Sequence, residues 1–138
     1  MKKEFQLPEE DEKYLNSTGL SWETIIDNKM QWVIIYDYPI ASGYNLEKVS
    51  IALKMETGYP RTPIDMAYFF PEVKRLDNKP INATCIQKID NKTFQRWSRH
   101  RTAANPWREG IDDISTHLLL VGFWFEQEFI KNPNAHTA

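Results

Sequence analysis

A single cysteine, three histidines and a run of arginines are the residues of this 138-residue chain with chemistry to offer. The thiol is Cys85, and a thiolate is nucleophilic near neutral pH and a good leaving group. It stands 25 residues after Pro60, at the end of a long connection that begins at Pro71. That connection carries turn signals at Asp77-Asn78 and Lys79-Pro80. Long connections without secondary structure in a compact domain usually carry function, which makes Cys85 a candidate nucleophile. The opposing reading is a small buried hydrophobe, the usual fate of a lone cysteine. His100 sits between Arg99 and Arg101, close to Arg96 and Trp97. Its imidazole reads either as a proton acceptor or as a hydrogen-bonding group of a loop. His117 falls on a closing helix and His136 in the tail, where both read as structural or solvated. The histidines and the cysteine lack zinc-ligand spacing, and there is no glycine-rich phosphate loop. Neither a metal nor another cofactor is expected.

The elements that must hold these residues can be read in order. Leu7-Pro8 followed by Glu-Glu-Asp-Glu-Lys-Tyr-Leu reads as a short opening helix, with acids where the helix dipole is positive. Trp22-Ile26 is a strand, Asp27-Asn28 a turn, and Met30-Tyr36 a strand rich in β-branched and aromatic residues. Val49-Met55 alternates, with Val49, Ile51, Leu53 and Met55 on one face. Pro60 and Pro63 cannot sit inside a helix or a central strand. They lead into a strand over Ile64-Phe70, where Met66, Tyr68 and Phe70 alternate with Asp65, Ala67 and Phe69. Lys92-Arg101 is basic and aromatic, and Asn105-Pro106-Trp107 breaks it. Apolar residues at 111, 114, 118, 121 and 125 have helical spacing over Ile111-Phe125, with Asp112 and Asp113 at the favourable end. The tail from Lys131 reads as frayed. A helix followed by a meander of four strands and a closing helix implies an α+β fold with an antiparallel sheet.

Composition narrows the class. The chain is read as one domain over 1–138 with an ordered core over about 8–129, and it has 41% apolar and 13% aromatic residues for a core. A formal charge of -2 argues against bulk attraction to nucleic acid or membrane. Arg96, Arg99 and Arg101 beside Trp97 resemble a nucleic-acid patch only weakly. No apolar run approaches the roughly 20 residues of a membrane span. The acidic start has no apolar signal segment. One cysteine cannot close an intramolecular disulfide, which suits a reducing cytoplasm.

The order of helix, meander, Tyr59-Pro60-x-x-Pro63, long loop, Cys85, Trp97 and closing helix resembles the ubiquitin-conjugating enzyme fold. Leu7-Leu15, the stretch from Gly43 to Met66, and Gln95-Trp107 are similar to its prokaryotic family E. The resemblance runs from about Pro8 to Phe129 and implies a bacterial protein that accepts a ubiquitin-like modifier from an activating enzyme. Cys85 then takes the modifier as a thioester in an active-site loop and passes it to an amine. Trp97-Ser98 matches the tryptophan-serine that follows the family's cysteine, after a longer insert. Tyr59, Pro60 and Pro63 match its structural proline turn. The His-Pro-Asn tripeptide that precedes that cysteine is absent. Asn78, Asn82 and His100 are the candidates for its function, and Arg96, Arg99 and Arg101 for holding the loop or contacting an acidic modifier. The resemblance also implies a deubiquitinase-type peptidase as a partner and a role in antiphage defence. Two other readings stay open: a catalytically inactive adaptor that binds a ubiquitin-like protein or its partners, and a small thiol hydrolase.

Overall fold

Four acids after Leu7-Pro8 start a helix where the sequence places one. The structure, a computed structural model, describes residues 1–131. His136 and the tail that the sequence reads as frayed lie outside the described residues. In α1 (Glu9–Ser17) the first turn holds Glu9, Glu10, Asp11 and Glu12. The Glu12 carboxylate accepts the Leu7 N–H at 3.1 Å, satisfying a donor at the helix entrance. Leu15 and Asp11 point inward.

The sheet is larger than the expected four-stranded meander. It comprises β1 (Trp22–Asp27), β2 (Met30–Pro39), β3 (Lys48–Met55), β4 (Ala67–Phe70), β5 (Thr84–Ile89) and β6 (Lys92–Trp97). All neighbours pair antiparallel in the order β1-β2-β3-β4-β6-β5. β1 to β4 pair in chain order within this six-stranded sheet, and the last hairpin adds β6 beside β4 and β5 at the sheet edge. Asp90-Asn91 makes that hairpin possible, since both residues hold positive φ (51 and 64), as a tight two-residue hairpin turn requires. Asn28-Lys29 does the same between β1 and β2, with φ 51 and 66. β4 starts at Ala67, later than the expected Ile64, because Met66 at φ 59 leaves extended geometry.

Each face of the sheet buries its own cluster. Val33, Ile35, Val49, Ile51, Leu53, Met55, Phe69 and Trp97 share the first with α1 and with α2 (Ile114–Lys131). The helix contributes Ile114, Leu118, Val121 and Phe125. It starts at Ile114 rather than Ile111, since Asp113 caps it: its carboxylate accepts the Thr116 N–H at 3.1 Å and the Ser115 hydroxyl at 2.6 Å. On the opposite face, Ile25, Trp32, Ile34, Ala52, Tyr68, Ile89 and Phe94 form a second buried cluster. The sheet curls to enclose it, and the Asp90 N–H at the last hairpin tip donates to the Asp27 carboxylate at the first, 3.1 Å away.

The proline turn is tied to both helices. The Tyr59 hydroxyl donates to Asp11 Oδ2 at 2.8 Å, while Asp11 Oδ1 accepts the Ile114 N–H at 3.1 Å. Trp107 Nε1 donates to Pro60 O at 2.9 Å. Burial pushes the Asp11 carboxyl above its usual range, against the pull of these two donors. Replacing Tyr59 by Phe keeps the ring and leaves Asp11 short of one donor. That variant should lose about 1–3 kcal/mol in urea unfolding; an unchanged midpoint and slope would show that the bond contributes nothing.

Candidate active site at the rim of the curled sheet

Alternation along the last hairpin decides which side chains meet. Cys85 pairs with Arg96 across β5 and β6, and Arg96 pairs with Tyr68 across β6 and β4. Residues directly opposite in an antiparallel ladder put their side chains on the same face, with Cβ atoms about 4.5–5.5 Å apart. Cys85, Arg96 and Tyr68 therefore form one row on the curled face. Toward the hairpin tip the next rows hold Gln87 with Phe94, then Ile89 with Lys92. Ile89 and Phe94 are buried there, whereas Cys85 is exposed. The row containing Cys85 thus borders the apolar cluster that fills the curled face. Cys85 lies on an edge strand, not in a loop as expected, because Thr84–Ile89 mirrors Lys92–Trp97 about the Asp90-Asn91 turn.

The polar groups of this row are uncommitted. Arg96 has no hydrogen bond or ion pair among the described residues, and its Nε is buried without a partner. Every other arginine has a carboxylate partner: Arg61 with Glu109, Arg75 with Asp77, Arg99 with Glu128, and Arg101 and Arg108 with Asp112. Tyr68 is only 3% exposed, and its ring is held edge-on by Trp32 at 4.9 Å. Its hydroxyl hydrogen-bonds to none of the described residues. Burial raises the phenol above its ordinary pKa, offset by Arg96 and reinforced by Asp65 and Cys85, so the hydroxyl remains a donor.

Beside the row, His100 Nδ1 lies 3.0 Å from both carboxylate oxygens of Asp65. That contact orients the ring, and Nε2 has no partner among the described residues. Asp65 and Cys85 each act electrostatically on the Tyr68 phenol. Pro63, Ile64, Pro106 and Trp107 line the apolar recess next to His100.

Residues 7–128 match the family model described as Prokaryotic E2 family E. The chain belongs to that family. It is a conjugating-enzyme-like protein, and its α+β fold with an antiparallel sheet is consistent with that family. No curated protein and no solved structure matched the chain.

For a prokaryotic E2 family E protein without the His-Pro-Asn tripeptide, the placement of its asparagines matters. Asn78 lines a recess with Thr84 and Gln95, whose side chains alternate with Cys85 and Arg96. It therefore opens on the other side of the sheet from the thiol. Asn82 precedes β5 by two residues, and its carbonyl accepts Arg99 Nη1 at 2.9 Å. Arg99 also lies over the Trp97 ring and reaches Glu128 at 3.4 Å. Arg101 is tied to Asp112 and, through Nη2, to His117 Nδ1 at 3.3 Å. The loop after β6 is thereby fastened to α2. Tyr68 and Asp65 escaped the sequence reading. Alternation marked Tyr68 as one of three apolar positions on a face, and only strand order sets its hydroxyl beside Arg96 and Cys85. Among the described residues no group of His, Cys, Asp and Glu converges to hold a metal ion, and no helix is long and apolar enough to cross a membrane.

His117, fully buried, places its Nε2 2.8 Å from Met66 O. Burial is the main reason its pKa falls from 6.5 to about 4, with Arg101 adding to the fall and the Met66 carbonyl opposing it. The unfolded chain binds the proton first, so this group's contribution is full above pH 6.5 and is lost as pH falls toward 4. The loss should reach roughly 3 kcal/mol at about 1.4 kcal/mol per pKa unit. Chemical unfolding at several pH values should show it, and a His117→Gln variant should flatten the curve between pH 6.5 and 4. Parallel curves for the two proteins would assign the slope to other groups.

Proposed function

We propose that this protein carries a ubiquitin-like modifier as a thioester on Cys85, receiving it from an activating enzyme and passing it to an amine. The observation behind this reading is an exposed thiol directly opposite an unpaired guanidinium, in a chain of a conjugating-enzyme family. In loading, the Cys85 thiolate attacks the carbonyl carbon of the donor thioester. A new C–S bond forms, the old one breaks, and the donor sulfur leaves as thiolate. Such exchange needs little acid–base help, because both sulfurs carry negative charge well. Discharge differs, since the attacking amine must lose a proton as its C–N bond forms and the Cys85 C–S bond breaks. His100, oriented by Asp65 with Nε2 free, takes that proton. Tyr59, Pro60 and Pro63 serve the frame rather than the chemistry, while Arg99, Arg101 and Trp97 fasten the segment that bears His100. The same reading, on family grounds, sets the protein in a bacterial conjugation pathway with a deubiquitinase-type peptidase and a role in antiphage defence.

A second reading has one observation in its favour. No base is hydrogen-bonded to the Cys85 thiol among the described residues, as suits an adaptor that binds a modifier without forming a thioester. Gel electrophoresis with the cognate activating enzyme and modifier separates the two. Wild type should give a reductant-sensitive adduct, Cys85→Ser a stable oxyester, and Cys85→Ala neither. An adduct that persists in Cys85→Ala would remove the nucleophile, and no adduct in wild type would favour the adaptor.

His100→Ala should load normally and discharge to free lysine about 10²–10⁴-fold more slowly, the usual range for losing one general base. Asp65→Asn should slow the same step less, because it loosens the ring without removing it. A normal lysine chase in His100→Ala would leave His100 a loop residue.

A further inference from the structure

We propose that the Arg96 guanidinium and the Tyr68 hydroxyl form the cradle for the oxyanion that develops when Cys85 exchanges its acyl group. The inference rests on the acyl-carrier reading.

Position comes first. The three side chains form one cross-strand row on one face of the sheet, with Arg96 between Cys85 and Tyr68. Adjacent strands are about 4.8 Å apart, so the long Arg96 side chain is within reach of the space above the thiol, and Tyr68 stands one strand further along the same row.

Availability is the second argument. A guanidinium that a fold uses for stability is paired, as every other arginine of this chain is. Arg96 has no carboxylate partner at all among the described residues, and its Nε is buried without an acceptor; Arg101 Nε is unpaired too, but the terminal nitrogens of Arg101 are engaged. Buried donors are normally satisfied, and an unsatisfied one calls for a missing acceptor. Tyr68 differs in degree: more than nine-tenths of the residue is buried, but its hydroxyl is not sealed from solvent, and it has no acceptor among the described residues. Two donors without protein acceptors, following one another in the row that starts at the thiol, suit an oxygen that carries negative charge.

The asparagines do not fill this place. Asn78 lies in a recess on the far side of the sheet, and Asn82 stands outside the row, before the strand begins. In acyl exchange the Cys85 sulfur adds to the carbonyl carbon, and the π electron pair moves onto oxygen. Arg96 and Tyr68 donate to that oxygen. The pair then returns to re-form C=O, and the C–S bond to the leaving group breaks. No oxidant, metal or further reactant enters. Donors placed for the developing charge and not for the ground state act on rate more than on binding.

The test compares two reagents on the intact protein by mass spectrometry. One is the mercaptoethanesulfonate thioester of N-acetyl-glycyl-glycine, whose attack by Cys85 develops an oxyanion. The other is iodoacetamide, whose saturated carbon is displaced without one. Arg96→Met should lower the acylation rate about tenfold to hundredfold relative to alkylation, somewhat below the ~10²–10³ of an enclosed oxyanion hole. Tyr68→Phe keeps the buried ring and should lower the same ratio by a smaller factor. Arg96→Lys should recover part of the loss. Equal falls in both rates would mean that Arg96 acts on the thiolate and not on the oxyanion, and unchanged rates would make it an ordinary surface charge; either overturns the proposal. Thermal unfolding checks that the variants fold, and Tyr68→Phe decides the matter alone if Arg96→Met does not. Because the probe is a small thioester, the ratio reads the cradle even if the activating enzyme never loads wild-type Cys85, an outcome that overturns only the carrier reading.

Discussion

The structure turns on Trp97. This side chain is fully buried where β4, β6 and α2 meet, with ring centroids 5.2 Å from Phe69 and 4.9 Å from Phe125. Its Nε1 donates to Gln95 Oε1 at 3.0 Å, and Gln95 in turn clasps Val73 through both its N–H and its carbonyl. One aromatic residue thereby fixes the last hairpin, the closing helix and the start of the connection after β4. Since successive side chains of a strand point to opposite faces, burying Trp97 toward the helix leaves Arg96 no direction except the curled face. A slip of one residue would bury a guanidinium against Phe125 and turn the tryptophan outward. The orientation of Arg96 is thus a by-product of packing on the other side of the sheet.

How far a sequence shows such an arrangement depends on the range of the interaction. The opening helix, the strands up to Met55 and the closing helix were legible because their signals are local: acids after Pro8, alternation at Val49, Ile51, Leu53 and Met55, and helical spacing from 114 to 125. The final hairpin was not. Asp90-Asn91 is a turn signal of the same kind as Asn28-Lys29, and the tetrapeptide Ile-Asp-Asn-Lys occurs at both places one residue out of register. The basic run after it draws attention to charge instead of alternation, so Lys92-Arg101 reads only as a basic and aromatic stretch. The candidate site was half legible for the same reason. Cys85 and His100 stand out by type, but the tyrosine and the aspartate beside them acquire meaning only when β6 inserts between β4 and β5.

The two clusters on either side of the sheet do different work for the site. The helix-side cluster holds the strands in register. The smaller one, under the curl, includes Tyr68 and supplies a low-dielectric border to Cys85 and Arg96. A charge at the boundary between apolar floor and solvent interacts with its neighbours more strongly than one in open water, though less than one fully enclosed. That intermediate setting allows an unpaired guanidinium to persist, since solvent still reaches part of it while its Nε does not.

The tie between Asp27 and Asp90 has a consequence of its own. By joining the two hairpin tips it makes the outer surface of the sheet into an inside, and the residues that would form a flat back are spent on a private core. Another protein cannot lie across that surface without prising the tips apart. Cys85, exposed on the outermost strand, is thus reached from the edge of the sheet and not across its back.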